Sequence, residues 1–204
     1  MGFTLQVVTT RGLLRDDSDP WKRSVMRGPV PKRGEKLIDQ RRLLRLDFEA
    51  PEKRETEEFR LRMLTVNDLV RDYDAVMSSV EHLKSTFSAI SEDSWPEGLT
   101  LEEDLIDLGW HQREFTLGFS FAYTVMSLDE SVCLGCVYFE PTSKADYDVA
   151  ITMWVRESEL VGGLDRRLFQ TVKSWVASDW PFSNPAYPGR DIPVAAWHAL
   201  ADER

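Results

Sequence analysis

The spacing of apolar residues changes from a strand period to a helix period in the second half of the chain, and this change constrains the fold most. Segments 119–126 and 147–155 alternate with the period of two expected for strands. Between them, Val132–Phe139 is apolar on both faces and fits a central strand. After a glycine-containing loop, 157–163, apolar residues from Leu164 to Val176 recur at helical spacing. We therefore predict three strands, a loop and a helix that ends before the next proline.

The pattern of apolar residues upstream predicts one strand followed by two helices. Phe59–Leu64 alternates like a strand, and one long amphipathic helix is predicted from Val66 to Phe87 with Thr65 as its N-cap. A second helix opens with a T-x-x-E capping box at Thr100 and closes at Gly118. Short turns join the three later strands, which should form an antiparallel meander. The predicted fold is an α/β (α+β) sandwich with a mixed, largely antiparallel sheet flanked by helices.

Residues 1–57 and 58–204 differ in composition. The first segment is interrupted by four prolines and has 13 Lys and Arg against 10 Asp and Glu, whereas the second has 12 against 25. We predict an N-terminal extension over 1–57, partly ordered at best, and one domain over 58–204. A solvated extension is the simpler interpretation, although its basic residues would also suit a partner or cover the edge of the domain.

The charge and hydropathy of the chain exclude several partners. A net charge of −10 disfavours nucleic acid and anionic membrane surfaces, and it weakly favours a cationic or amine-bearing small molecule. We find no apolar run of the roughly 20 residues needed to span a bilayer and no signal-peptide pattern at the N-terminus. We therefore expect a cytoplasmic protein with no nucleic acid and no membrane partner.

The two cysteines form a C-x-x-C motif, Cys133 and Cys136, within a predicted strand. Residues three apart in a regular strand point to opposite faces, so the thiols should not meet. A zinc site would also need two more ligands, and the histidines that could supply them are His82, His111 and His198. We therefore predict two core cysteines and no metal site.

The order of elements, and the string Met153-Trp154-Val155-Arg156 before a glycine loop and a helix, resemble the GNAT superfamily of acyl-CoA-dependent N-acyltransferases. The string from Arg60 to Leu69 is similar to the opening of many such domains. The resemblance spans roughly residues 58–185. It implies acetyl-CoA as co-substrate, with the pantetheine arm held by the backbone of Trp154, Val155 and Arg156 on a strand that splays from its neighbour.

The family's pyrophosphate loop binds the anion at a helix N-terminus, where free N–H groups and the helix dipole favour negative charge. Its pattern falls on 160–165, so that the resemblance assigns Gly162, Gly163 and Arg166 to cofactor binding. Two positions depart from the pattern, because Leu160 replaces a basic or amide residue and Asp165 replaces a small one. A carboxylate there would repel the pyrophosphate, or it would simply cap the helix.

Acyl transfer needs a base for the amine and donors for the developing oxyanion. His111 and Glu114 share a face of the second helix, which borders the acceptor site in the family, so that they are candidates for base and orienter. They would equally suit a surface pair. Tyr138 is a candidate donor to substrate or thiolate, or a core aromatic.

The C-terminal residues are too few to form all the secondary-structure elements of the family pattern. Residues 181–204 suffice for one strand and a turn or two, so the tyrosine that often protonates the thiolate cannot be placed, and Tyr187 is a poor substitute. The extension or a second copy of the chain, as in a homodimer, would complete the sheet edge.

Two functions follow from these observations. The first is an N-acyltransferase that moves an acetyl or related acyl group from coenzyme A to an amine of a small molecule. The alternative, favoured by Leu160, Asp165 and the short C-terminus, is a catalytically inactive GNAT-like binding or interaction module.

Overall fold

The computed structural model describes residues 42–44, 47–87 and 95–202. Its centre is a six-stranded sheet in which each strand pairs with its neighbours in sequence. The pairings from β1 to β5 are antiparallel, and β5 pairs with β6 in parallel. The strands are β1 Lys53–Glu55, β2 Phe59–Met63, β3 Phe121–Ser127, β4 Cys133–Glu140, β5 Val149–Val155 and β6 Pro185–Ala186. The predicted mixed, largely antiparallel sheet is confirmed.

Six α-helices and a one-turn 3-10 helix, Val66–Asp68, accompany the sheet in the described part of the chain. The α-helices are α1 Leu69–Met77, α2 Val80–Phe87, α3 Leu101–Leu117, α4 Glu157–Leu160, α5 Leu164–Asp179 and α6 Val194–Ala199. The capping box predicted for α3 is present, because the N–H of Thr100 donates to Glu103 at 2.8 Å and the Thr100 hydroxyl accepts from the N–H of Glu103. Gly118 ends α3 with φ 72°, a left-handed conformation that glycine adopts without strain. None of the described helices has the length and apolar character that a membrane crossing requires.

The long helix predicted from Val66 to Phe87 is wrong, because the chain forms three shorter pieces. The break between α1 and α2 lies at Ser78 and Ser79. The hydroxyl of Ser78 donates to the carbonyl of Ala75, and the hydroxyl of Ser79 accepts from the N–H of Glu157 at 3.0 Å. Serine side chains compete with helical hydrogen bonding, and here one of them joins the break to the start of α4.

The two faces of the sheet carry separate hydrophobic cores. On one face α5 buries Leu164, Leu168, Val172 and Trp175 against β3, β4 and β5. On the other face α1, α2 and α3 pack over the cysteines and Trp154. The result is the three-layer sandwich expected for a sheet with helices on both faces.

The described part of the predicted extension takes part in this domain. Strand β1 pairs with β2, and Leu43, Leu44, Phe48 and Ala50 pack against the α5 face of the sheet. The hydroxyl of Tyr123 in β3 donates to the carbonyl of Pro51 at 2.6 Å. Residues 1–41, 45 and 46 of the predicted extension lie outside the described residues.

Candidate functional site

Strands β5 and β6 part after two residue pairs. Val149 is paired with Pro185 and Ala150 with Ala186, whereas β5 continues to Val155. Beyond Ala150, this edge of β5 therefore has no strand partner among the described residues. Free backbone N–H and C=O groups along such an edge can hydrogen bond to an extended ligand.

A cleft of about 350 Å³ lies along the unpaired part of β5. One wall is formed by Thr152–Trp154 of β5 and another by residues 82 and 85–87 of α2. Pro188–Arg190 and Val194 close the side toward β6, and Leu160 with Asp165 closes the end at which α5 begins. The cleft therefore joins the edge of β5 to the N-terminus of a 16-residue helix.

The entry to α5 depends on a glycine. Gly163 has φ 71° and immediately precedes the helix, and a Cβ at this position would also lie 3.4 Å from Arg167. Gly162 adjoins it, and its carbonyl accepts from Arg167 at 2.6 Å. These two glycines take the predicted place between β5 and the helix.

Asp165 in the first turn of α5 binds Arg190 in a two-pronged ion pair, with distances of 2.5 and 2.6 Å. Nη2 of Arg190 also donates to the carbonyl of Met153 on the open edge of β5, at 3.3 Å. The guanidinium thus bridges the two walls of the cleft. It offsets the carboxylate charge that would otherwise repel an anion at this helix N-terminus.

The other basic residues near the loop differ in whether their side chains are already held by ion pairs. Arg167 pairs with Glu58, and Arg156 donates to Asp74 and to the hydroxyl of Ser78. Arg166 is exposed and makes no ion pair within the described residues. Arg166, predicted to bind the cofactor, is therefore available at the start of α5. The side chain of Arg156, whose predicted contribution is its backbone, is directed to α1.

His111 lies between α3 and the sheet. Its Nε2 is 3.4 Å from Asp107, and its ring centroid is 5.2 Å from that of Tyr138. Burial alone would lower the pKa of His111, but the hydrogen bond and charge of Asp107 outweigh burial and raise it. The hydroxyl of Tyr138 accepts from Nε1 of Trp154 at 3.2 Å, and burial raises the pKa of this hydroxyl strongly. His111, Tyr138 and Trp154 thus form a chain from α3 to the wall of the cleft.

The predicted partner of His111 lies elsewhere. Glu114 accepts from its neighbour Arg113 at 2.9 Å, and the hydrogen-bonding partner of His111 is Asp107. Val155, predicted to contribute backbone groups, is buried in the core at the end of β5. Of the predicted site residues, Trp154 is the one that lines the cleft itself.

His82 is a cleft residue that the sequence did not single out. It lies on α2 and lines the cleft, and its Nε2 is buried without a hydrogen-bond partner among the described residues. A buried ring nitrogen without a partner is costly, and a bound ligand or water would satisfy it. Its sequence context, a histidine between a glutamate and a leucine, carries no signal of this position.

The sheet is largely antiparallel, and one parallel pair of strands splays apart over a cleft. At the end of that cleft a glycine turn leads into a helix. Together these features define the class of fold. This is the fold of the GNAT superfamily, as the sequence predicted.

Solved structures with the same fold include one assigned as a ribosomal-protein-serine acetyltransferase from Vibrio cholerae. It matches with a TM-score of 0.54 and 10% identity, over 74% of this chain and 79% of that one. A second, named a probable acetyltransferase, matches with a TM-score of 0.50 and 12% identity, over 66% and 72% of the two chains. No protein-family model and no curated protein sequence matches the chain. Identities this low establish the fold and not the activity.

Proposed function

We propose that this protein is an N-acyltransferase that moves an acetyl or related acyl group from coenzyme A to an amine. The observation that carries the proposal is the parting of β5 and β6 after Ala150, which leaves a hydrogen-bonding edge and a cleft leading to the N-terminus of α5. The amides of a pantetheine arm can pair with such an edge as an added strand would. Acyl-CoA would supply the activated thioester.

The residues present fit this co-substrate at both ends of the cleft. Met153 offers backbone groups on the open edge, and Gly162 and Gly163 place the start of α5 at the diphosphate end. Asp165 is compatible with an anion because Arg190 already binds its carboxylate and brings a second cation to the same end as Arg166. We propose that Arg190 contacts the diphosphate while Asp165 holds it in position.

We assign the role of general base to His82. Its Nε2 has no partner among the described residues, and the residue lies in the wall of the cleft opposite the edge of β5. In this assignment the amine nitrogen attacks the acyl carbon, its proton passes to His82, and the thiolate departs. His111 and Tyr138 act through Trp154 as positioning residues, and the sequence-based assignment of His111 with Glu114 as base is the competing proposal.

The proposed acceptor is the amine of a small molecule. The acidic composition of residues 58–204 supports a cationic acceptor over an anionic one. The name of the Vibrio cholerae structure instead mentions a ribosomal protein, so a protein acceptor is the alternative that the assay must include.

An inactive binding module is the second candidate function, and one observation favours it. The hydrogen bond from Arg190 to the carbonyl of Met153 occupies an acceptor on the open edge of β5, so that the ion pair would close the cleft if it did not move. In that case the protein would not bind acyl-CoA.

Calorimetric titration with acetyl-CoA, followed by mass spectrometry of acyl transfer to a panel of amines and N-terminal serine peptides, tests the proposal. We expect saturable binding at one site and transfer to small amines. Binding without transfer to any acceptor would contradict the activity, and no binding at millimolar acetyl-CoA would overturn both the site and the activity and support the inactive module.

Comparison of His82→Gln with His111→Gln distinguishes the two bases. We expect His82→Gln to bind acetyl-CoA normally and to lose about 100-fold in kcat. His111→Gln should change kcat less. The reverse ranking would assign the base to His111.

A further inference from the structure

The two cysteine side chains lie on the same face of the sheet, which corrects the expectation that they point to opposite faces. The register between β3 and β4 shifts so that Val125 pairs with Gly135 and Met126 with Cys133, which leaves Leu134 as an extra residue. Such a β-bulge reverses the alternation of side chains along the strand. Cys133 and Cys136 therefore both enter the core beneath α1, α2 and α3, and both are free thiols.

A carboxylate from a different element reaches both sulfur atoms. Oδ1 of Asp72, on α1, lies 3.4 Å from Sγ of Cys136 and 3.9 Å from Sγ of Cys133. The three potential ligand atoms all lie within 4.8 Å of one another, and all three residues are buried. Two thiols and a carboxylate thus converge on one point between α1 and β4.

These distances suit one tetrahedral ion. Zinc–sulfur bonds of about 2.3 Å and zinc–oxygen bonds of about 2.0–2.2 Å place sulfur and oxygen about 3.5 Å apart across the edge of a tetrahedron. The two observed separations of 3.4 and 3.9 Å bracket this value. Small side-chain rotations would therefore allow all three atoms to bind one ion.

A second carboxylate nearby lacks a partner. Asp104, on α3, is only 3% exposed, and its Oδ2 has no hydrogen-bond partner among the described residues. It lies within electrostatic range of Asp72. A buried carboxylate oxygen without a donor is rare and calls for a cation or a donor that the described part of the chain does not supply.

We propose that Cys133, Cys136 and Asp72 bind a zinc ion, with Asp104 as the candidate fourth ligand. Two thiolates and carboxylate oxygen suit zinc, and a closed, buried set of protein ligands is typical of a structural rather than a catalytic site. The hydroxyl of Thr124, 3.5 Å from Sγ of Cys133, can donate to that thiolate. Binding releases the two thiol protons and fastens α1 and α3 to the sheet.

The metal content of untagged full-length protein tests the proposal directly. We expect about one zinc per chain after growth with zinc and extensive dialysis, and a fall in Tm when a strong chelator removes it. Replacement by cobalt should give the sulfur-to-cobalt charge-transfer absorption of a tetrahedral thiolate site. Protein that contains no zinc, takes up none on addition and has a Tm insensitive to chelator would overturn the proposal and leave two thiols that donate to Asp72.

Variants assign the ligands. Cys133→Ser, Cys136→Ser and Asp72→Asn should each lose most of the bound zinc, whereas Asp74→Asn, an exposed neighbour on the same helix, should retain it. Asp104→Asn should weaken zinc binding but preserve the charge-transfer band, since both thiolates remain. Equal zinc content in all variants would place the ion elsewhere and contradict the assignment, even if one variant folds poorly.

Discussion

The guanidinium of Arg190 binds both carboxylate oxygens of Asp165, so that the acidic residue at the start of α5 meets a cation rather than solvent. The same guanidinium donates to the carbonyl of Met153. Asp165 alone would repel an anion at this helix N-terminus, but here its carboxylate holds the side chain of Arg190 in position. The cofactor proposal depends on this relationship.

Removal of either partner should weaken acetyl-CoA binding. We expect Arg190→Ala to bind about tenfold more weakly, because an unpaired carboxylate then faces the diphosphate. Asp165→Asn should weaken binding by a smaller factor, since Arg190 is retained but loses the carboxylate that holds it in position. Calorimetric titration measures both.

Lys173 and Asp191 provide a matched control. Their exposed ion pair, at 2.6 Å, joins α5 to the residue after Arg190 but does not line the cleft. Lys173→Ala should leave the affinity for acetyl-CoA unchanged. Equal weakening in Lys173→Ala and Arg190→Ala would show a general charge effect instead of a local contact.

Gly135→Ala should destabilise the fold severely. A Cβ at Gly135 would lie 2.0 Å from the carbonyl oxygen of Trp154 on β5, a distance that requires backbone movement. We expect a loss of about 3 kcal/mol or more in the free energy of unfolding, measured by urea denaturation. Gly162→Ala is the control, because its Cβ would come no closer than 3.5 Å to Glu159 and should cost little. A wild-type midpoint for Gly135→Ala would refute the close approach of Gly135 to the backbone of β5.

Asp68 should contribute stability that depends on pH. This buried carboxylate accepts from Arg62 at 2.7 and 2.9 Å and from Arg71 at 2.8 Å. Burial alone would raise the pKa of Asp68, but the hydrogen bonds and charge of Arg62 outweigh it, so the pKa is lowered. The folded state therefore releases this proton more readily than the unfolded state, and the stabilisation is present above about pH 4 and is lost as pH falls through the lowered pKa.

Asp68→Asn should accordingly lower the free energy of unfolding by about 3 kcal/mol at neutral pH, as when one partner of a buried ion pair is removed. The difference in unfolding free energy between this variant and the wild-type protein should shrink below about pH 4. Asp74→Asn, whose carboxylate pairs at the surface with Arg156, should lose less than about 1 kcal/mol. A constant difference between Asp68→Asn and the wild-type protein from pH 7 to pH 3 would contradict the role of the ionised carboxylate.

The capping box of α3 should contribute a smaller, local stabilisation. Thr100→Ala removes the hydroxyl that accepts from the N–H of Glu103 and should lower the free energy of unfolding by about 1 kcal/mol. Glu102→Ala, one position along and outside the box, is the control. Chemical denaturation of both variants decides whether the cap stabilises the helix.

Local patterns predicted the framework of the domain well. The strands at 59–63 and 121–127, the box at Thr100 and the left-handed Gly118 each follow from neighbouring residues alone. The break of the first helix at Ser78 and Ser79 was missed, because the hydrogen bond from Glu157 that accompanies it joins residues 78 positions apart. The candidate site was predicted less completely, since His82 carries no local signal and the actual partner of His111 is Asp107 rather than Glu114.

The sequence by itself determined the order, type and approximate ends of the main elements, because periodicity and capping depend on residues within a few positions of one another. Only the tertiary structure decided which charges and thiols meet. Asp165 and Arg190 are 25 positions apart, and Asp72 and Cys136 are 64 apart, so that neither contact follows from a local pattern. The bulge at Leu134 has the same origin, because the register of a strand is set by how its side chains pack against the neighbouring strands and helices.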